Sequence, residues 1–294
     1  MYPFKTHAIL ICILSAILCT ACVREDTEGC VQYALNVQAV DAEGNDLTSS
    51  GVLQKTDVYL FDEKGFVRMV PAGTSSDFLF GEDKNARLTL VAWGNLKEDT
   101  LITTELTRGT SMEEAKVQLR RYAEGTHIPV TDLFYSCKEL SRPQTRSMQE
   151  ETLTLIMERM AACVSIRTRY LAERYPYMGE PYHFIVRGTG TEIDFTGNVA
   201  GEETGYEPAS TTSDQGDVYA PSFHVFPMLE NGRIEIDLYR KEEKIYTITE
   251  DNNFQPLKVT VGKQTNIDID FRYAEIKVFI TVTPWGEVWQ DTEM

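Results

Sequence analysis

RIEIDLYRKEEKIYTITEDNNFQPLKVTVGKQTNIDIDFRYAEIKVFITVT, residues 233–283, is written in period two. Ile234, Ile236 and Leu238 alternate with Glu235 and Asp237, and Ile267, Ile269 and Phe271 alternate with Asp268 and Asp270. Side chains on a strand point to opposite faces in turn, so this spacing predicts strands with one buried side. The stretch divides into Arg233 to Tyr239 and Glu242 to Ile248, joined around Arg240-Lys241, then Leu257 to Val261 and Thr265 to Phe271, parted by the two-residue turn Gly262-Lys263. A last strand, Glu275 to Thr283, sets Ile276, Val278, Ile280 and Val282 on one face. Short strands at regular intervals with turn residues between them predict an all-β fold of the sandwich type.

The same signal runs back toward the N-terminus. Val31 to Val40 alternates through Tyr33, Leu35, Val37 and Ala39, and Asp57 to Phe61 and Phe66 to Val70 flank Asp62-Glu63-Lys64-Gly65 as a hairpin. Ala86 to Trp93 alternates through Leu88, Leu90 and Ala92, while Tyr182 to Arg187, Glu192 to Phe195 and Ser222 to Phe226 add shorter strands. Thr152 to Arg169 changes phase near Met160 and reads as a bulged strand or two successive strands. One helix is expected at Ser111 to Tyr122, where Ser111 and Glu114 form a capping box. Gly197 to Asp217, rich in Gly, Glu, Ser and Thr, reads as a long exposed loop. The polar stretch from Cys137 to Glu151 reads as a linker, with a boundary near Gln149. The expectation is two tandem β-sandwich domains, residues 31–148 and 149–294, with one or two short helices.

The first thirty residues are of another kind. An uncharged run from Ala8 to Leu18 follows Lys5 and ends in the small residues Thr20 and Ala21, the layout of a secretory signal. The run is about half of the roughly 20 apolar residues that a membrane-spanning helix requires. Cys19-Thr20-Ala21-Cys22 resembles the lipobox of lipoprotein signal peptidase, with cleavage after Ala21 and lipid on Cys22. Cys19 stands where leucine is usual. Residues 1–21 are read as signal peptide and 22–30 as a lipidated tether, whose Val23-Arg24-Glu25-Asp26 resembles the surface-export signal of Bacteroidetes lipoproteins. Acyl chains contribute about 0.8 kcal/mol per buried methylene, so a multiply acylated Cys22 needs no second anchor.

Loss of the signal removes Lys5 and takes the net charge from −17 to −18. Such a charge repels phosphates and excludes nucleic acid and anionic lipid surfaces as partners. Of six cysteines, Cys12 and Cys19 leave with the signal and Cys22 is committed to lipid. Cys30, Cys137 and Cys163 remain, an odd and irregular set that makes neither a disulfide framework nor a zinc site. Cys163, within Met160-Ala161-Ala162-Cys163-Val164, reads as a buried free thiol.

Chemistry is sparse. His127, His183 and His224 are scattered, and no HExxH, GxSxG, Walker A or GxGxxG occurs. Glu235 with Asp237 and Asp268 with Asp270 could each share a strand face as paired carboxylates for glycoside hydrolysis or calcium. Alternation with a buried apolar set makes them a solvated face instead. No catalytic residue, metal site or cofactor is assigned, and the chain is read as a non-enzyme.

Four segments in order resemble the FimB-type minor fimbrillins, the anchor subunits of Bacteroidetes fimbriae. They are Cys22-Val23-Arg24-Glu25-Asp26 to Cys30, Asp57-Val58-Tyr59-Leu60-Phe61-Asp62-Glu63-Lys64-Gly65-Phe66, Leu88-Thr89-Leu90-Val91-Ala92-Trp93-Gly94 and Ile280-Thr281-Val282-Thr283-Pro284-Trp285. Thr27 departs from the leucine expected in the tether. The resemblance implies a fimbrillin or transthyretin-like pair of sandwiches, and an outer-membrane lipoprotein that roots a fimbrium and limits its length. Its implied partners are the first stalk subunit and, through Cys22, the membrane. Polymers of such subunits look to be joined by strand donation. Stalk subunits lose their first strand to an arginine-specific protease, whereas an anchor would keep it. On that footing Val31 to Val40 stays in place, and residues 275–294 are the donor, with Ile276, Val278, Ile280, Val282 and Trp285, then Val288 and Trp289, filling successive pockets. Two other readings share these features: a fimbrial tip or stalk subunit, and a surface glycan-binding lipoprotein using Tyr206, Tyr219 and Trp285.

Overall fold

A computed structural model describes residues 30–80, 87–141, 151–176 and 179–286. Ala21, Cys22 and the rest of the expected signal and tether up to residue 29 lie outside the described residues, as do Gln149 with most of the expected linker, and Val288 and Trp289. In the first part of the chain the strands are β1 Cys30–Val40, β2 Thr56–Asp62, β3 Gly65–Val70, β4 Ser75–Leu79, β5 Arg87–Gly94, β6 Leu101–Thr103, β7 Lys116–Leu119, β8 Phe134–Ser141 and β9 Glu151–Arg159. Then follow β10 Ala162–Arg169, a one-turn helix α1 Leu171–Arg174, β11 Tyr182–Arg187, β12 Glu192–Asp194, β13 Val199–Ala200, β14 Gly205–Tyr206, β15 Thr211–Thr212, β16 Val218–Val225, β17 Glu235–Arg240, β18 Glu243–Ile248, β19 Lys263–Asp270 and β20 Lys277–Pro284. The fold is all-β, built as tandem sandwiches.

A seven-stranded sheet in the order β3-β2-β5-β8-β9-β1-β4 forms the first unit. β8 and β9 pair only at Phe134↔Arg159 and Tyr135↔Glu158, so the sheet bends there and folds over itself. Tyr33, Leu35 and Ala39 of β1 thereby meet Leu60, Leu90 and Leu155 in one core. The opposite face of β2 and β5 is buried too, since Tyr59, Phe61, Val91 and Trp93 pack under a smaller sheet, β13-β12-β7-β6. Half of that smaller sheet comes from the second part of the chain: Phe195, just after β12, lies 5.0 Å from Tyr59 and 5.9 Å from Trp93, ring centre to ring centre. The second unit stacks the sheet β15-β16-β10-β19-β20 on β14-β11-β17-β18, and its core of Val164, Ile166, Phe184, Ile236 and Ile267 runs on without a break into Trp93 and Phe195. Each unit starts with a strand paired in parallel to a much later one, β1 to β9 and β10 to β19.

Several expectations are corrected. β9 lies past the boundary expected at Gln149 and yet pairs with β1 and β8, so the changeover between sheets falls at Met160-Ala161. Ser111 and Glu114 do form the capping box, at 3.2 Å each way, but the chain leaves helical geometry after that turn and becomes β7. The reason is nonlocal, because Val117 and Leu119 are fully or nearly buried between β6 and β12. Leu257 to Val261 forms no strand; Leu257 hydrogen-bonds Thr249 and Ile234 at isolated points while its side chain fills the core. Residues 197–217 are not a loose loop, since they carry β13, β14 and β15 and bury Thr204 and Tyr206.

Glycine is obligatory at two close approaches. Gly65 closes the β2–β3 hairpin at φ +109°, where a Cβ would stand 2.5 Å from the carbonyl oxygen of Gly109. At Gly188, φ +99°, a Cβ would overlap the Arg233 carbonyl.

Candidate functional site: the C-terminal edge strand and the junction

β20 is the outermost strand of its sheet and pairs antiparallel with β19 over eight residues, from Lys263↔Pro284 to Asp270↔Lys277. Among the described residues no strand lies on its other side. There Asn252 occupies one end: its Oδ1 accepts from Val278 N at 2.6 Å and its own N donates to Val278 O at 3.2 Å. Main-chain groups alternate in direction along an antiparallel strand, so those of Ile280 and Val282 point the same way as those of Val278, into the open edge. The side chains divide differently. Val278 is buried, Ile276 and Ile280 pack on the main core, and Val282 and Phe279 are each about half exposed.

Trp285 turns out of β20 into the junction between the two units. Its indole lies 4.6 Å from the Arg159 guanidinium and 4.7 Å from the His224 ring. Arg159 is held by Asp132, Nε to Oδ1 at 2.8 Å and Nη2 to Oδ2 at 3.0 Å, and its Cζ also lies 5.2 Å from the Phe134 ring centre. A two-point Arg–carboxylate contact fixes the guanidinium plane, which suits it to stack on an aromatic ring. Burial holds the His224 imidazole below the usual histidine range, against the nearby Asp132 carboxylate. Trp285 is legible in the sequence, His224 stands there only as one of three scattered histidines, and Asp132 and Arg159 share no motif with either.

At the other end of the chain, β1 is inserted between β9, parallel over Tyr33↔Glu151 to Val40↔Glu158, and β4, antiparallel over Cys30↔Leu79 to Ala34↔Ser75. It leaves the sheet at Asp41, whose Oδ1 accepts from the main-chain N of Glu43 and Asn45. Glu43 then meets Lys263 at 3.0 Å, beside the start of β19.

Three of the four paired carboxylates do not face solvent, and Glu235 alone is partly exposed. Asp237, Asp268 and Asp270 are nearly inaccessible. Asp237 pairs with Arg187 and accepts from Thr247 Oγ1, Asp268 Oδ2 accepts from Arg167 and Arg169 at 2.7 and 2.8 Å, and Asp270 is bound by Arg272 at 2.6 Å. Tyr206 is fully buried and Trp285 half-buried, so of the three aromatics suggested for a glycan only Tyr219 is exposed. Cys163 is buried and free, and burial pushes its thiol up to about 11.

Residues 24–291 match the family model of the fimbrillin-A associated anchor proteins Mfa1 and Mfa2. The chain belongs to this family. Curated relatives include the major fimbrium anchoring subunit FimB of Porphyromonas gingivalis, 26% identical over 287 residues that cover 92% of this chain and 92% of the relative. FimB of a second strain of that organism is likewise 26% identical over 287 residues, with the same coverage of both chains. Among solved structures, the fimbrial anchor protein Mfa2 from Porphyromonas gingivalis superposes with a TM-score of 0.60 at 15% identity, over 87% of this chain and 97% of that one. The tandem β-sandwich is thus shared with a solved fimbrial anchor protein. In this member of the anchor family, the first and last described strands lie on opposite sides of the Met160-Ala161 changeover, β1 in the first unit and β20 in the second.

Proposed function

We propose that the chain is an outer-membrane lipoprotein, acylated at Cys22, that anchors a fimbrium at the cell surface, limits its length and joins the first stalk subunit through strand donation. The observation that carries this reading is the placement of β1. The strand is covered on both edges and buries Tyr33, Leu35 and Ala39, so removing it would open a trough between β4 and β9. No arginine lies between Arg24 and Arg68. Cleavage at Arg24 would leave β1 whole, and Arg68 is within β3, with its Nη2 donating to the Asp77 carbonyl at 2.6 Å. An arginine-specific protease therefore has no site from which to release β1 alone, so on this reading β1 stays in its trough.

The same reading makes β20 the donor. It is an edge strand with β19 as its one neighbour among the described residues, and with its flanking residues it presents Ile276, Val278, Ile280, Val282 and Trp285 in the order that successive pockets would take them. Moving it would also withdraw Trp285 from Arg159. The test is to delete the gene and image the cells, with Cys22→Ala and a deletion of residues 284–294 added back separately. Long or shed fimbriae in the null strain and with Cys22→Ala are expected, and the tail deletion should release fimbriae while its protein stays on the cell. Unchanged fimbriae in the null strain would overturn the anchor reading; fimbriae of normal length and attachment with the tail deletion would overturn donation alone.

A further inference from the structure

Between β10 and the β15–β16 hairpin lies a cleft of about 480 Å³, bordered by Tyr170 and Tyr219. Tyr219 is 43% exposed and Tyr170 39%, in a sheet whose neighbouring positions are charged or polar. Tyr219 stands directly across the ladder from Arg167. Thr211, paired with Tyr219 on the adjacent strand, and Thr212, Ser213 and Gln215 add hydroxyls and an amide to the lining.

Tyr170 is an unusual residue for its backbone, since φ is +59° and bulky side chains avoid the left-handed region. Its surroundings hold it there. The Arg272 guanidinium lies 4.2 Å over the ring, Arg272 is itself bound by Asp270, and the next residue, Leu171, donates its N–H to Asp217 Oδ1 at 2.8 Å. An exposed aromatic ring is thereby fixed in orientation before any ligand arrives, which lowers the ordering cost of binding. The charges at the cleft are balanced locally, because Arg167 and Arg169 both bind Asp268 and Asp217 adds a carboxylate.

We infer that this cleft binds a neutral saccharide, with the tyrosine rings against the C–H face of a pyranose and the Thr211, Thr212, Ser213 and Gln215 side chains exchanging hydrogen bonds with its hydroxyls. The volume lies within the range of small-ligand sites, roughly 300–1,000 Å³, and few convergent polar groups set against aromatic walls are what such sites use. Balanced charge favours an uncharged sugar over a sialylated or sulfated one. The site is on the second unit's sheet and is independent of how the fimbrium is joined.

The test is saturation-transfer NMR on the full chain with maltotriose, mannobiose and lactose as neutral probes and sialyllactose as the charged one. Transfer to at least one neutral probe is expected, with Tyr219→Ala weakening binding about tenfold, Tyr219→Trp restoring it, and Phe254→Ala, an exposed aromatic elsewhere, leaving it unchanged. A second arm compares capsular polysaccharide from the producing cells with animal mucin glycans and so separates the cell's own surface from an external one as the source. Absence of transfer to every neutral probe, transfer to sialyllactose alone, or transfer that survives Tyr219→Ala would overturn the assignment.

Discussion

His127 is buried and His224 half-buried, and desolvation holds both imidazoles below their ordinary value of 6.5. The unfolded chain then takes up protons near pH 6.5 that the folded chain refuses, so stability is full above that pH and falls as the pH drops through it. His224 faces Arg159, Asp132 and Trp285. His224→Phe keeps a ring against Trp285 and removes one titration, and it is expected to reduce the stability lost between about pH 7.5 and 5.5 in urea titrations. An equal loss in wild type and variant would refute the assignment to His224. At this scale the sequence is least informative. The alternation of Asp237, Asp268 and Asp270 with isoleucines placed them correctly on one face of a strand, but whether that face is wet depends on Arg187, Arg167, Arg169 and Arg272, which arrive from other strands or from the next turn.

β20 offers a prediction about an element, because its two sides differ. Val278 is buried and Val282 half exposed. Val278→Ala should lower stability by about 2 kcal/mol through lost apolar burial, and Val282→Ala by less than about 0.5 kcal/mol, read as the shift in chemical denaturation. Equal effects would mean that β20 does not sit on β19 in the register Ile269↔Val278. Strands were legible wherever period two was unbroken, as in β1, β5, β11 and β19, since that pattern follows from the geometry of a pleated chain with one wet face. Two failures share a cause. Ser111 and Glu114 make their local capping bonds, and Leu257 to Val261 has strand-like alternation, yet the partners available to each segment in three dimensions decided the outcome. Sheet pairing is a long-range property, and short-range signals yield to it. For the candidate site, Ile276 to Val282 could be read from alternation and Trp285 came with the family resemblance, whereas the Asp132–Arg159 receptor of Trp285 could not be read, because Arg159 looks like the polar end of an ordinary strand.

On the scale of the molecule, the two units are interlocked. Phe195 belongs to the second part of the chain and is buried among Tyr59, Phe61 and Trp93 of the first. Phe195→Ala should cost about 3–5 kcal/mol, and it should shift the unfolding of both units together in calorimetry. Two transitions, of which only one moves, would show that the shared core does not couple them. The acidic balance of −17 keeps such molecules apart except where uncharged surface is presented, and positions 278–284 of β20 form a run without a charged side chain.

The parallel pairing of β1 with β9 also determines how the molecule meets mechanical load. A pull on residue 30 along the strand axis, away from the junction, draws β1 lengthwise past β9 and β4, so the ladder bonds are strained together in shear and cannot open one at a time from an end. Survival under such a pull is a matter of unfolding rate. From β9 the tension passes through the covalent link Met160-Ala161 into β10, and from there by another parallel ladder to β19 and then to β20. In the proposed anchor, a drag force on the filament would thus travel between β1 and β20 through both sheets.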